Sequence, residues 1–432
     1  YIHIMSNKKQ QQKQQQQEDA EYIDPNDTAQ EVLLETAENS MMDDDDDMNN
    51  GDHNDDEDDD QDEDEDFVDE SVQGFFDHKE SVYCVSINGQ HQDVIATGGG
   101  DDLAYLWSVG DGKMVHKLEG HKDSVSSIEF NFDGSLVATG GMDGTVKVWD
   151  VATGKQTVTL EGPSESVEWI KWHPRGNVLI AGASDCMGFL WSTLKGDLMS
   201  TFSGHSAPLT AGNYTPDGKR VVTVSEDGTL RVWNPKDGSM AGVIQGHGFH
   251  EGPISTLAIR SDGVLAITGG EDHFACISNI NTFKTVGRLM GHTDTVEAVA
   301  FSNTNPNFAI TGSMDGTVRV WDVNSQQPRT MMKHKSGTCI TKIIVHPTQP
   351  IVYSSSTDKT ICLWDERNGQ LIKQFPGHQD SILDFDITRD GSTIVTAGDD
   401  KVSLVFSMFA QTAQPNATVS NTTQQSSTTT TM

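Results

Sequence analysis

The chain has 432 residues, a net charge of −36 and 35% hydrophobic residues. So acidic a chain is poorly suited to direct contact with nucleic acid or with an anionic membrane, and it favours basic protein partners. No apolar stretch is long enough to cross a bilayer, no secretory leader is recognisable, and the five cysteines lack metal-site spacing. We therefore expect no metal or other cofactor, and a reducing compartment: the cytoplasm, with the nucleus as a second location.

The N-terminal tail, residues 1–66, differs in composition from the rest of the chain. Gln10–Gln17 is nearly pure glutamine, and Asp43–Asp66 holds 17 carboxylates in 24 residues. A segment of this kind cannot bury enough apolar surface to order itself, and the Ser/Thr/Gln-rich residues 411–432 share that property. We predict disorder in both tails and one folded domain over residues 67–410.

The folded domain is built from a repeat. In the unit Gly120–Asp150, short runs of alternating apolar and polar residues are separated by the Asp-Gly pairs that form tight hairpins. Four short antiparallel strands in about 40–45 residues, opened by Gly-His and closed by Trp-Asp, resemble the WD40 blade. An aspartate marks every unit, six residues before its closing position: Asp101, Asp143, Asp185, Asp227, Asp272, Asp315, Asp358 and Asp400.

Eight marker aspartates predict an all-β WD40 β-propeller with eight blades. The eighth repeat ends at Phe406 without a fourth strand, whereas the apolar residues between Phe67 and Phe76 belong to no complete repeat. We predict that this N-terminal segment supplies the missing strand and closes the ring, because closure removes exposed sheet edges. Seven blades are the alternative if the weak first or fifth repeat forms no blade. In the fifth repeat, His250 keeps the common spacing to Asp272 better than His247 does, which places about three extra residues in the preceding loop.

The WD40 resemblance implies a buried hydrogen-bond chain in each blade, formed by a histidine, the marker aspartate, a Ser/Thr and a tryptophan. A similar His–Asp–Ser set occurs in hydrolases, but catalysis needs one such set rather than copies at equal spacing, so we expect no enzyme activity. The third repeat has Pro163 in place of the histidine. The residues expected to hold the blades together include His121, Asp143, Trp149, His205, Asp227, Trp233, His292, Asp315, Trp321 and His378.

WD40 rings bind partners mainly on the face that carries the loops before the first strand and between the second and third strands. Two residues after the histidine position, five of the eight blades carry an acidic residue. Directly before the marker aspartate, three blades do, and no blade carries a basic residue at either position. Glu168, Glu297 and Asp384 are expected near the same rim. Converging carboxylates steer a cationic partner. The predicted partner-binding residues are Glu80, Asp123, Glu165, Glu168, Glu226, Glu271, Asp294, Glu297, Asp380 and Asp399.

A closer resemblance lies in the third to fifth repeats. The main segment is Glu161–Gly182, which has Gly-Pro in place of Gly-His and contains Trp169, Trp172 and His173. With Pro216–Arg220 and His250–Pro253, this segment is similar to the angio-associated migratory cell protein family and its fungal relatives. The resemblance implies, for fungal members, a chaperone that captures a newly made basic large-subunit ribosomal protein by its N-terminal segment and delivers it to pre-60S ribosomes. Animal members are linked with cell migration and signalling, which is a second possibility for this chain.

Other interpretations fit the same propeller. Trp364–Arg367 matches a short pattern of the substrate receptors of cullin-type ubiquitin ligases, although two of its four letters occur in most WD40 blades. A general scaffold and a histone-binding propeller are further alternatives. We expect a monomer, as is common for closed rings.

Overall fold

The computed structural model describes residues 68–409. The tails predicted to be disordered, residues 1–66 and 411–432, lie outside the described residues. None of the described residues forms a helix long and apolar enough to cross a membrane.

The described chain folds entirely into short strands joined by turns. They are, in order, β1 (Gln73–Phe75), β2 (Val82–Ile87), β3 (Val94–Gly99), β4 (Ala104–Ser108), β5 (Met114–Leu118), β6 (Val125–Phe130), β7 (Leu136–Gly141), β8 (Val146–Asp150), β9 (Gln156–Leu160), β10 (Val167–Trp172), β11 (Val178–Ala183), β12 (Met187–Ser192), β13 (Asp197–Ser203), β14 (Leu209–Tyr214), β15 (Val221–Ser225), β16 (Leu230–Trp233), β17 (Met240–Ile244), β18 (Ile254–Ile259), β19 (Leu265–Gly270), β20 (Phe274–Asn279), β21 (Lys284–Met290), β22 (Val296–Phe301), β23 (Phe308–Ser313), β24 (Thr317–Asp322), β25 (Pro328–Lys333), β26 (Ile340–Val345), β27 (Ile351–Ser356), β28 (Ile361–Asp365), β29 (Leu371–Phe375), β30 (Ile382–Ile387), β31 (Thr393–Gly398) and β32 (Ser403–Ser407).

These strands form eight four-stranded antiparallel sheets. Blades 1 to 7 are consecutive meanders, from β2–β5 to β26–β29, and blade 8 combines β30–β32 with β1. Strand β1 pairs antiparallel with β32, with Gln73 opposite Val405 and Phe75 opposite Ser403. The innermost strands β2, β6, β10, β14, β18, β22, β26 and β30 each contact the next, and β30 contacts β2. The predictions of eight blades and of closure by an N-terminal strand are therefore confirmed.

The core lies between the blades. Eight clusters of buried side chains occur, one at each seam, because each sheet is apolar on the two faces that meet its neighbours. Between blades 5 and 6, for example, Trp321 of blade 6 packs with Ile267 and Ile277 of blade 5. This arrangement explains why the inner residues of strands such as β7 and β27 are buried even where they are polar.

Buried polar chains join the strands within the blades. In blade 2, His121 Nδ1 lies 3.1 Å from Asp143 Oδ1, His121 Nε2 lies 2.8 Å from Thr139 Oγ1, and the Trp149 indole donates to the same hydroxyl. Equivalent chains join His205, Asp227 and Trp233 through Thr223, and His292, Asp315 and Trp321 through Thr311. His378 bonds Asp400 and Thr396, but Phe406 supplies no indole there. Blade 3 lacks the chain, since Pro163 and Ala181 replace the histidine and the hydroxyl, and the Trp191 indole donates to the Glu161 carbonyl.

Blade 5 lacks the aromatic residue at its closing position, and a side chain from a loop takes its place. Ser278 stands where the other blades carry an aromatic residue, and its hydroxyl has no hydrogen-bond partner among the described residues. Phe249, in the extended loop before His250, is fully buried and packs with Ile244 and Cys276 at the seam with blade 4. At the next seam the same place is taken by Trp321, so a side chain from the loop fills the volume that the missing tryptophan leaves.

Candidate functional site

Two sets of loops meet on one face of the ring, here called the rim face. In an antiparallel meander, the loop that enters the innermost strand and the loop between the second and third strands lie at the same end of the sheet. A backbone bond fixes them together: the residue after the histidine position donates its N–H to the marker aspartate. Lys122 N donates to Asp143 at 2.9 Å, and Ser164 N donates to Asp185 at 2.8 Å even though blade 3 has no histidine.

The acidic rim is defined here as the ten predicted partner-binding carboxylates on this face: Glu80, Asp123, Glu165, Glu168, Glu226, Glu271, Asp294, Glu297, Asp380 and Asp399. Glu168 and Glu297 belong to innermost strands, and the other eight lie in the two sets of loops.

Three neighbouring blades bring rim carboxylates together around Tyr83. Burial raises the pKa of this phenol, and the charges of Asp399, Glu80 and Asp123 add to the effect, bringing it to about 12. Blades 8, 1 and 2 therefore place their carboxylates around one buried ring. Ser81 Oγ also donates to Asp399 Oδ1 at 2.5 Å, so this rim residue joins blade 1 to blade 8 at the closure of the ring.

The pKa values of two cysteines are raised by further groups of carboxylates. Burial and then the charges of Asp185, Glu165, Asp227 and Glu226 raise the pKa of Cys186. Burial and then Asp294 and Glu297 raise the pKa of Cys339. Negative potential is thus shared across the boundary of blades 3 and 4 and across that of blades 6 and 7, and such sharing focuses a field on a cationic ligand.

Asp380 and Glu271 are two further residues of the acidic rim. Asp380 Oδ1 accepts the backbone N–H of Ser381 at 2.7 Å, which shapes its own turn. The backbone of Glu271 bonds the Pro253 carbonyl, and its side chain is exposed. Asp384, expected near the rim, holds the closure of the ring instead: it accepts the Val85 N–H at 3.0 Å and pairs with Lys342 at 2.6 Å.

Glu168 and Glu297 occupy positions that serve ring assembly in other blades. The second residue of the innermost strand is a hydroxyl residue in four blades, and it donates to a carbonyl of the next blade: Ser126 to Val167, Thr210 to Ile254, Ser255 to Val296 and Thr341 to Ile382. An ionised carboxylate cannot donate such a bond. In blade 3 the Trp169 indole takes over, donating to the Leu209 carbonyl at 3.0 Å. Two blades thus present carboxylates where an assembly bond is otherwise made.

A cleft of about 410 Å³ opens on the rim face between blades 4 and 5. Its lining includes Glu226, Asp227, His250, Glu251 and Gly246. Sequence reasoning missed the acidic residue Glu251, because it considered the second position after the histidine and Glu251 is the first. Arg288 lies 3.5 Å from its carboxylate. A comparison of the repeats would have found Glu251, since the other blades carry lysine, serine, threonine or glutamine at this position.

The opposite face carries paired charges. Ion pairs join Arg260 to Asp262 at 2.6 Å and Lys113 to Asp111 at 2.9 Å. Arg367, the last residue of the short ligase-receptor pattern, forms two bonds with Asp365. Within residues 68–409, this face therefore lacks the concentration of one sign of charge that distinguishes the rim face.

Comparison with known proteins places the chain in a family. The WD40 family, described as WD domain, G-beta repeat, matches residues 69–108, 112–150, 154–192 and 196–234, and a family described as nucleolar protein 10-like, N-terminal domain, matches residues 248–410. An uncharacterised WD repeat-containing protein of Schizosaccharomyces pombe is 41% identical over 349 residues, covering 78% of this chain and 87% of the relative. The human angio-associated migratory cell protein is 35% identical over 353 residues, covering 78% and 80%.

The chain belongs to the angio-associated migratory cell protein family of WD40-repeat proteins. Solved structures share its fold. Sqt1 of Chaetomium thermophilum, in a crystal structure bound to the N-terminus of the ribosomal protein L10, has a TM-score of 0.73 at 24% identity over 79% of this chain and all of that one. Sqt1 of Saccharomyces cerevisiae has a TM-score of 0.71 at 22% identity, with the same coverage of both chains.

Proposed function

We propose that this protein is a non-catalytic chaperone that holds a newly made, basic large-subunit ribosomal protein by its N-terminal segment on the acidic rim and delivers it to pre-60S ribosomes. The observation that carries the proposal is the convergence of carboxylates from most of the blades on one face. The fold shared with Sqt1, which has been crystallised with the N-terminus of L10, supports the same kind of partner. The proposal places the protein in the cytoplasm, where ribosomal proteins are made, and also in the nucleus.

The chemistry of the rim suits a ligand that must be held and later released. Carboxylates bind Lys and Arg side chains through charge-assisted hydrogen bonds, which are stronger than neutral ones. On a solvent-exposed face these bonds remain sensitive to salt and to competing anions. RNA phosphates would therefore displace the rim carboxylates when the cargo reaches its binding site, because RNA offers a higher density of negative charge.

The first prediction concerns three rim residues of neighbouring blades. The variant Glu165→Gln/Glu226→Gln/Glu271→Gln removes three charges from blades 3, 4 and 5. We expect its affinity for the L10 N-terminal segment to fall about tenfold or more, and the salt dependence of binding to flatten, since fewer charged contacts remain. Isothermal titration calorimetry on the full chain measures both quantities.

A matched control changes the same net charge on the opposite face. Asp93, Asp197 and Asp237 lie at the other end of the sheets, and we expect their replacement by asparagine to alter affinity less than about twofold. Equal losses in the two triple variants would reduce the effect to net charge and would contradict a site on the rim. Unchanged thermal unfolding of both variants would show that the ring is intact.

A further inference from the structure

Blade 7 interrupts the acidic rim. Besides the two loop positions already described, two more face the same side in every blade: the residue after the histidine position and the residue after the marker aspartate. Summed over these four positions, with histidine neutral, blade 7 carries a charge of +2 and every other blade carries between 0 and −2. The residues at the two added positions are, in blade order, Lys79 and Asp102, Lys122 and Gly144, Ser164 and Cys186, Ser206 and Gly228, Glu251 and His273, Thr293 and Gly316, Lys335 and Lys359, and Gln379 and Lys401.

The two lysines of blade 7 are presented to solvent by a fixed backbone. Lys335 N donates to Asp358 at 3.3 Å, and Lys359 adopts a φ of 73° in the turn that follows the aspartate. The Asp358 carboxylate is already occupied by His334 at 2.8 Å and by Thr360. Among residues 68–409, no carboxylate lies within ion-pair distance of either ammonium group, and both side chains are exposed.

Lysines at the same ring positions elsewhere have acidic company. Lys122 is followed by Asp123, and Lys401 lies in the same loop as Asp399. In blade 7 the remaining two positions are Ser336 and Thr357, which are neutral. A uniformly cationic ligand laid around the rim face would therefore meet negative charge at six of the other blades, no net charge at blade 2 and positive charge at blade 7.

We infer that the segment held on the rim carries a carboxylate, from aspartate or glutamate, at one end of its basic stretch, and that Lys335 and Lys359 receive it. This inference rests on the proposed function and adds a direction to it. Opposite charges placed at one point of an otherwise acidic ring fix the register of a bound chain and reject ligands that are basic throughout.

Three synthetic peptides test the inference on the full chain. All share one stretch of alternating arginine and serine; one has two glutamates at its N-terminal end, one has them at its C-terminal end, and one has glutamines instead. Each is titrated into the wild type, into Lys335→Gln/Lys359→Gln, and into Lys122→Gln/Lys401→Gln, which removes the same charge from the same ring positions of blades 2 and 8.

We expect one of the two glutamate peptides to bind the blade 7 variant about threefold to fivefold more weakly than the wild type, as for two exposed ion pairs, while the glutamine peptide binds it more tightly. The control variant should bind all three peptides more tightly. If the blade 7 variant also binds all three more tightly, the lysines receive no carboxylate and the inference is wrong, while binding on the rim stands. If no peptide binds the wild type at low salt, both the inference and the proposed function are wrong.

Discussion

Replacement of Phe249 by glycine is expected to lower the free energy of unfolding by about 3–5 kcal/mol, the range for deleting a buried aromatic side chain. Phe249 is fully buried at the seam of blades 4 and 5, and the opposing Ser278 is too small to fill the space. Blades 4 and 6 combine the two sizes the other way round, with a glycine before the histidine and a tryptophan at the closing position. A Cβ added to Gly291 would lie 3.1 Å from the Trp321 ring, and one added to Gly204 would lie 3.6 Å from the Trp233 ring.

Exchanging the large residue at position 249 and the small residue at position 278 tests whether they fill one volume. Ser278→Trp alone should destabilise the protein, because the tryptophan would compete with Phe249 for one volume. The double variant Phe249→Gly/Ser278→Trp should recover much of the loss, giving a favourable coupling in a double-mutant cycle measured by urea unfolding. Additive losses would mean that the two residues do not share a volume, and would contradict the proposed compensation in blade 5.

Asp315→Ala should cost about 3–5 kcal/mol of stability, as expected when one partner of a buried polar pair is removed. The Asp315 carboxylate bonds His292 Nδ1 at 2.9 Å and accepts the backbone N–H groups of Thr293 and Thr317 at 3.1 and 2.9 Å. Its loss leaves a buried imidazole and two donors unsatisfied. Urea unfolding at neutral pH measures the difference from the wild type.

Blade 3 supplies the matched control. Asp185 accepts bonds from Ser164 and from the Met187 N–H but has no histidine partner. Asp185→Ala should therefore cost about 1–2 kcal/mol, the value of the hydrogen bonds alone. Equal costs at the two sites would show that the histidine partner adds nothing.

The stability that Asp315 supplies should also depend on pH. Burial raises the pKa of Asp315, but the hydrogen bonds from His292 and Thr317 lower it by more than burial raises it. The pKa therefore lies below the ordinary 3.8. A depressed pKa stabilises the fold at pH values above the unfolded pKa, and this contribution disappears as pH falls through the folded value. The difference in free energy of unfolding between the wild type and Asp315→Ala should thus stay constant from neutral pH to about pH 5 and become smaller below pH 3.8.

The ring and its closure could be predicted from sequence because their determinants are local and periodic. The histidine, the aspartate and the following turn lie within one repeat, so spacing alone chose His250 over His247, and His250 is the residue that bonds Asp272 at 3.0 Å. The rim positions follow from the same periodicity, since a fixed offset from an anchor fixes the loop and the face.

Interactions between distant repeats could not be predicted in this way. Asp384 is one acidic residue among many until the fold brings Lys342 of the preceding blade against it. Phe249 looks like a surface loop residue until the fifth repeat is compared with the others, which carry an aromatic residue where it has Ser278. The lysines of blade 7 were overlooked because only two of the four rim positions were considered. In each case the information lies in a contact or a comparison around the ring, which no window on one repeat contains.

Calorimetric titration of the full chain with the L10 N-terminal segment at low and at physiological salt tests the proposed chaperone role most directly. We expect a one-to-one complex whose affinity falls as salt rises, because charge-assisted contacts on an exposed face hold it. The absence of binding at low salt, or an affinity that does not respond to salt, would contradict this role.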